Sequence, residues 1–203
     1  MNGSAIIGGA SQAPQAKDGR RHRSDVSRER IVGAMLDLVV EGDISPSAEA
    51  VAARAGVGLR TVFRHFENME GLYQQINALI AAEIAPIAAR PFTSADWKAR
   101  IGEIVDRRIA IFERIMPLKI AGDVHRHRSP FLAAQAAQTA RDLREAIDAV
   151  IPAALREDGE LAESLDLILS FESWRRLRKD QGLSRARARS VLARLIETLI
   201  AAL

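Results

Sequence analysis

One short stretch of the sequence, residues 59–65, carries side chains that can bind duplex DNA. The planar guanidinium of Arg60 can donate to O6 and N7 of one guanine, a contact worth about 1–3 kcal/mol of discrimination between bases. Thr61 can offer a hydroxyl and a backbone N–H to a phosphate oxygen from the start of a helix. His65 can donate one N–H at neutral pH. A solvated charge at Arg60 and a packing histidine at His65 are the structural alternatives.

Two short predicted helices, joined by the turn Ala55-Gly56-Val57-Gly58, would position these side chains. Ser47 is the expected N-cap of the first helix and Gly58 that of the second. Gly56 suits the left-handed backbone of the turn. This spacing is typical of a helix-turn-helix, whose second helix enters a major groove about 12 Å wide. The pattern predicts that Leu59, Arg60 and Arg64 face outward and that Val62, Phe63 and Phe66 face the core.

Residues 27–73 resemble the TetR/AcrR family of transcriptional regulators. The family signature is similar to a small residue, Gly-Val, two variable positions, Thr, an aliphatic, an aromatic, His-Phe and a polar residue that starts a helix. The corresponding residues here are Ala55, Gly56-Val57, Leu59 and Arg60, Thr61, Val62, Phe63, His65-Phe66 and Asn68. The resemblance implies a regulator that binds a double-stranded DNA operator, most commonly as a repressor. It implies base contacts by Leu59 and Arg60 and phosphate contacts by Ser27, Ser47, Thr61 and His65, with Phe63 and Arg64 completing the DNA-binding set.

Two positions depart from the family pattern. Phe63 stands where the family usually has a tyrosine whose hydroxyl contacts a phosphate, and Met69 replaces the usual lysine. Both changes remove backbone contacts, so we expect weaker nonspecific affinity or compensation from Arg64 and a basic arm at Arg20, Arg21, Arg23, Arg28 and Arg30. A helical protein-interaction module that keeps the fold without operator binding is the alternative function.

The remaining sequence predicts an all-α protein of about nine helices, because no segment alternates with the period of a strand. We expect a disordered basic tail over 1–24, a helix-turn-helix domain over 25–72 and a helical domain for effector binding and dimerisation over 73–203. The first helix is expected to begin at Ser27 and to span about fourteen residues. We expect Pro86 to kink or end its helix, a break at Pro117, and a continuous helix over about 161–179.

The second part of the chain carries two further predictions. Its last helices are apolar on two sides, which favours a homodimer through an isologous four-helix interface, with an internal helix of a monomer as the alternative. The predicted interface residues are Leu165, Ile168, Leu192, Leu195, Ile196 and Leu199. Large side chains scattered among alanines belong either to a plain core or, as the resemblance implies, to a pocket for a small apolar or aromatic effector. The predicted pocket residues are Trp97, Phe112, Met116, Phe131 and Trp174.

Composition excludes several classes of function. The 203 residues are 48% apolar and 27% charged, contain no cysteine and carry a net charge of +3. Disorder over most of the chain, disulfide scaffolds, thiol nucleophiles and thiolate metal sites are therefore excluded. No apolar run approaches the ~18 residues of a membrane span, so a cytoplasmic protein is expected. Asp123, His125 and His127 are poorly spaced for a metal, and no catalytic motif occurs, so neither an enzyme nor a cofactor is expected.

Overall fold

A computed structural model describes residues 15–157 and 159–201, with side chains from Ser24 onward. Within those ranges the regular secondary structure is entirely helical, which confirms the all-α prediction. The helices are α1 (Gln15–Val40), α2 (Ala48–Ala55), α3 (Leu59–His65), α4 (Met69–Ala88), α5 (Trp97–His125), α6 (Pro130–Asp148), α7 (Ala153–Arg156), α8 (Glu160–Ile168), α9 (Phe171–Arg175) and α10 (Arg185–Ala201). A π-helical turn, Arg176–Asp180, continues α9. No described helix is both long and apolar enough to cross a membrane.

Helix α1 is longer than predicted. It begins at Gln15, so Ser27 lies inside the helix and is not its N-cap. The apolar period that marks a packed helix starts only at Ile31, whereas the preceding residues are mostly polar and include good helix formers. The periodicity therefore located only the packed half of α1. Residues 1–14 of the predicted disordered tail lie outside the described residues.

The first core joins α1 to the two short helices and the start of α4. Ile31, Val51 and Leu72 are completely buried in it. Ala121, near the end of α5, belongs to the same cluster. The helix-turn-helix domain therefore packs directly on the second half of the chain.

The second core surrounds the middle of α5 and draws on α6, α8, α9 and α10. Ile101, Leu165 and Trp174 are completely buried there. Arg108 is 4% exposed in the same region and donates to the carbonyl oxygens of Leu169, at 3.0 Å, and Leu143. Burial lowers the pKa of Arg108 to about 10. This guanidinium joins α5 to α6 and to the end of α8.

Two predicted helix boundaries are wrong, at Pro117 and within 161–179, and α4 does not end at Pro86. Pro86 and Pro117 lie inside α4 and α5, although an internal proline removes one backbone hydrogen bond at a cost of about 3 kcal/mol. Buried neighbours at Met116 and Ala121 hold α5 together across the second of these prolines. The predicted helix over 161–179 is divided, because Ser170 accepts a hydrogen bond from the Ser173 N–H at 3.1 Å and starts α9.

Candidate nucleic-acid interface

The turn between α2 and α3 depends on a glycine. Gly56 adopts φ 64° and ψ 40°, in the left-handed region that residues with a side chain rarely enter. Its N–H donates to the Ala53 carbonyl, and the N–H of Val57 donates to the Ala52 carbonyl at 3.0 Å. A β-carbon at Gly56 would also lie 2.8 Å from Nη2 of Arg30. The backbone conformation therefore requires glycine here, and an added β-carbon would also displace the exposed Arg30 side chain.

Helix α2 is fixed at both ends. The Ser47 hydroxyl accepts a hydrogen bond from the Ala50 N–H at 3.2 Å, which confirms Ser47 as the N-cap. Near the other end, Arg54 donates to both carboxylate oxygens of Glu41, at 2.8 Å and 2.6 Å. This ion pair joins α2 to the segment that follows α1. Because α2 is held in this way, the angle at which α3 leaves the domain is also set.

Helix α3 presents Arg60, Phe63 and Arg64 to solvent and buries Val62 and Phe66. The first two predictions for this helix, an outward Arg60 and an outward Arg64, match the structure. Two others are wrong. Phe63 is 44% exposed and does not belong to the core. Leu59, predicted to face outward, is half-buried against the first core.

The exchange of Leu59 and Phe63 has a simple geometric cause. Leu59 and Phe63 flank the buried Val62 on opposite sides of the helix, at about 60° and about 100° around its axis, so either could border the buried stripe. Helix α3 has only seven residues and packs mainly on α1 and α2, so its buried stripe is narrow. The stripe runs through Leu59, Val62 and Phe66 and leaves Phe63 at the edge of the exposed face.

His65 does not join the exposed face of α3. Its Nε2 is buried and has no hydrogen-bond partner among the described residues. Burial lowers the pKa of His65, and the nearby cations Arg64 and Arg28 lower it further. The imidazole is therefore neutral at pH 7. The phosphate contact that the resemblance implies for His65 stays a prediction, and so do those of Thr61 and Ser27, which are both half-buried.

A polar groove of about 430 Å³ lies beside His65, between α1 and the start of α4. Arg28 forms one wall, where its guanidinium lies 5.0 Å from the centre of the Phe66 ring and donates to Oε1 of Gln75 at 2.9 Å. The sequence had assigned Arg28 to a basic arm, but this side chain joins α1 to α4. No residue spacing indicated that contact.

Met69 is the first residue of α4. The preceding residue, Asn68, caps the helix by accepting the Gly71 N–H at 3.1 Å. Met69 itself is half-buried against the first core. The methionine thus adds apolar contact to the domain at a position where the family usually carries a charge.

The predicted pocket residues lie mostly in the second core. Phe112, Met116 and Trp174 are buried, and Trp97 is half-buried at the edge of the cluster. Trp174 donates through Nε1 to Oε1 of Glu113 at 2.9 Å. Buried side chains and an indole N–H with a hydrogen-bond partner are expected if these residues only form the core and line no pocket. A pocket at these residues stays a prediction.

The predicted dimer stripe needs correction. Leu165, Leu192 and Ile196 are buried in the core of their own protomer, because α8 and α10 pack on each other and on α5 through these positions. Ile168 and Leu199 are half-buried, and Leu195 is 49% exposed. Leu167, which the prediction omitted, is 70% exposed. The accessible apolar side chains line an open groove of about 510 Å³ formed by Ser164, Leu167, Ile168, Val191, Arg194, Leu195, Thr198 and Leu199.

Two contacts connect α4 to the junction between α5 and α6. The Tyr73 ring stacks on His125, with centroids 5.4 Å apart and an angle of 24° between the planes. The N–H of Phe131, a predicted pocket residue, donates to Oε1 of Glu70 at 3.2 Å. We call these two contacts the interdomain joint. The joint occupies both His125 and Phe131 in linking the two halves of the chain.

Asp123 and His125 are engaged by neighbours other than a metal. Lys119 donates to both carboxylate oxygens of Asp123, at 2.6 Å and 2.7 Å. His125 has its ring on Tyr73. In the part of the chain that the structure describes, no three His, Asp or Glu side chains are grouped as a metal would require.

Comparison with known proteins agrees with this geometry. The family model described as bacterial regulatory proteins, tetR family, matches residues 42–76, which include α2, the turn and α3. The chain is similar in structure to the multidrug binding protein EbrR complexed with imidazole, with 22% identity, coverage of 94% of this chain and 97% of that chain, and a TM-score of 0.57. It is also similar to a TetR transcriptional regulator from Rhodococcus sp. RHA1, with 16% identity, coverage of 87% and 98%, and a TM-score of 0.52. No curated protein sequence matches the chain.

The two kinds of similarity support different statements. The structural similarities show the fold, since both identities are low. The family match lies on the segment that carries the left-handed Gly56 and the exposed arginines of α3. Together with the helix-turn-helix geometry, these findings show that residues 42–76 form a helix-turn-helix segment of the tetR-family type, within a chain that has the fold of a TetR transcriptional regulator.

Proposed function

We propose that the protein is a homodimeric repressor that binds a palindromic operator through α3 and leaves it when a small apolar or aromatic molecule binds the second domain. The observation that supports operator binding best is the pair of exposed arginines on α3. Arg60 and Arg64 lie one turn apart on a helix whose opposite side is fixed in the first core. This arrangement offers two cationic side chains to a groove without disturbing the fold.

Both arginines are available for DNA. Among the described residues, no hydrogen bond or ion pair holds the guanidinium of Arg60 or Arg64. Other arginines of the chain are engaged, as Arg54 is with Glu41 and Arg189 is with Asp106. A free guanidinium loses no protein partner when it binds a base or a phosphate, so binding carries only the cost of desolvation and ordering.

Dimerisation would be built on the groove between α8 and α10. Leu167 and Leu195 are the large apolar side chains most exposed there, and burying such a side chain completely contributes about 1.5–3 kcal/mol. In an isologous interface both subunits bury the same side chain, so each residue contributes twice to the free energy of association. Two α3 helices related by a twofold axis would then read half-sites about one helical turn of DNA apart.

Effector binding is the part of the proposal that depends most on similarity. The structural relative EbrR is described as a multidrug binding protein. In this chain a ligand would have to separate side chains of the second core, because Trp174 is completely buried. The interdomain joint offers the path to α3, since Tyr73 and Glu70 belong to the helix that follows it. An effector acts only if it binds the two arrangements of the joint with different affinity.

Selection of bound duplexes from a random pool tests operator binding. We expect a palindromic consensus at low ionic strength and an affinity that falls steeply with added salt. The substitution Arg60→Ala should weaken binding to that consensus by about 5-fold to 150-fold, as the loss of a bidentate guanine contact implies. Arg187→Ala, at an exposed arginine of α10, is the matched control and should bind like the wild type.

The same experiment separates the repressor from a protein-interaction module. Protein association through α3 would not select a DNA consensus and would not show the steep salt dependence. Leu59, the apolar side chain that would meet a protein in that alternative, is half-buried, whereas Phe63 is 44% exposed. Failure to enrich any duplex at low salt would refute operator binding.

A further inference from the structure

The exposed face of α3 has an unusual chemical composition. Its side chains are Arg60, Phe63 and Arg64, with Thr61 half-buried at the edge. Arginine offers only hydrogen-bond donors and phenylalanine offers neither donors nor acceptors. Apart from the Thr61 hydroxyl, α3 therefore presents no side-chain acceptor to the groove.

A face whose single side-chain acceptor is a half-buried hydroxyl at its edge is limited in the base edges that it can read. The amino groups of cytosine and adenine are donors in the major groove and need an acceptor such as a carboxylate or an amide. Guanine presents two acceptors, O6 and N7, which suit a guanidinium. Thymine presents a C5 methyl group, which an apolar side chain can cover. The composition of α3 therefore favours guanine and thymine over the other bases.

Phe63 is the side chain that can cover a methyl group. Its ring is 44% exposed although the residue lies in a well-packed domain, and Leu59, the other apolar candidate, is turned toward the core. Phe63 has no hydroxyl, so it cannot donate to a phosphate. An exposed aromatic ring gains most by burial against apolar surface.

We propose that Phe63 is a specificity-determining residue that packs on the C5 methyl of a thymine beside the guanine contacted by Arg60. This assignment rests on the proposed operator binding and names what α3 reads there. Arg60 and Phe63 are three residues apart, so their β-carbons are separated by about 5–6 Å. With base pairs about 3.4 Å apart, the thymine lies within two steps of the guanine.

The test replaces thymine by uracil, which removes only the methyl group. The duplex enriched from the random pool is resynthesised as a set of duplexes, each with uracil in place of one thymine of one half-site. The affinity of the protein for each duplex is measured by fluorescence anisotropy. At one thymine next to a guanine, we expect uracil to weaken wild-type binding about fourfold, since that is the effect of exposing one methyl group. Cytosine and 5-methylcytosine at the same position form a second pair of bases that differ only by a methyl group, and the methylated base should bind more tightly.

Two variants assign the effect to Phe63. Phe63→Ala should bind the thymine and uracil duplexes equally, whereas Phe63→Leu should keep part of the preference because leucine still covers the methyl group. Both variants should fold, because the side chain is largely outside the core. Circular dichroism and a melting curve check this before binding is measured.

The outcomes distinguish this assignment from the proposed function. If the wild type binds its selected duplex more tightly than a scrambled one but is indifferent to uracil at every thymine, operator binding stands and the role of Phe63 is overturned. If Phe63→Ala is as sensitive to uracil as the wild type, another side chain reads the methyl group and the assignment is again overturned. If no duplex is enriched, operator binding fails and the assignment fails with it.

Discussion

Replacing Gly56 by alanine tests the turn on which the whole interface depends. The left-handed conformation of Gly56 costs an L-residue roughly 1–2 kcal/mol. The new β-carbon would also lie 2.8 Å from Nη2 of Arg30. Because this atom ends a flexible, exposed side chain, Arg30 can move aside at small cost. We therefore expect Gly56→Ala to lower the free energy of unfolding by about 1–2 kcal/mol, mostly through backbone strain.

Chemical unfolding with two companion variants separates the two causes. Arg30→Ala removes the close contact, so Gly56→Ala made in that background keeps the strain and loses only the clash. Gly33→Ala is the matched control in the same domain, since Gly33 is helical and nothing lies within 4 Å of the added β-carbon. That control should raise the stability by about 0.5–1 kcal/mol. Gly56→Ala and Gly33→Ala are thus expected to change the free energy of unfolding in opposite directions.

Two stability measurements would contradict backbone strain at Gly56 as the cause. If Gly56→Ala leaves the stability within about 0.3 kcal/mol of the wild type, the turn does not need its left-handed residue. If the whole loss disappears in the Arg30→Ala background, contact with Arg30 and not backbone strain requires the glycine. Operator affinity measured below the melting temperature provides a second readout, because a turn that relaxes would also move α3.

Two further predictions concern the dimer and the interdomain joint. Leu195→Glu should weaken self-association by about 100-fold, because each of the two subunits loses about 1.5 kcal/mol of apolar burial. Leu79→Glu, at a leucine of similar exposure on α4, is the control and should leave self-association unchanged. A wild-type monomer in sedimentation, or a Leu195→Glu dimer of unchanged affinity, would refute the interface. Burial lowers the pKa values of His125 and His65, so the unfolded chain binds more protons and stability should fall as the pH drops below about 6.5. His125→Phe keeps a ring for Tyr73 to stack on and should make that decline shallower in melting curves between pH 7.5 and pH 5, whereas an unchanged slope would contradict the role of His125.

Local rules located the helix-turn-helix well. The caps at Ser47 and Asn68 and the left-handed Gly56 each follow from the preference of one residue type for one backbone position. Such preferences act within four or five residues, so they can be read directly from the sequence. They fixed the turn, the start of α4 and therefore the position of Arg60 at the start of α3.

Tertiary packing decided what the sequence left open. Leu59 and Phe63 flank the buried Val62 on opposite sides of α3, and the placement of α1 and α2 covers Leu59 and leaves Phe63 exposed. The same limit applies to α10, where Leu192 faces the core and Leu195 faces solvent within one broad apolar stripe. Arg28 illustrates a second limit, since its contact with Gln75 joins residues 47 positions apart. No pattern along the chain reports such a pair.

Helix α5 offers a physical route by which the second domain can influence the first. It has 29 residues and so extends about 43 Å, long enough to take part in both cores. Met116 belongs to the second core and Ala121 to the first, and Pro117 lies between them. A proline lacks the N–H that would bond to the preceding turn, so α5 is weakest in its own hydrogen bonding at the boundary between the cores. In the proposed mechanism, a ligand that separates side chains around Phe112 would bend α5 at this boundary. That bend would move His125, and with it the stacked Tyr73 of α4, without requiring either core to unfold.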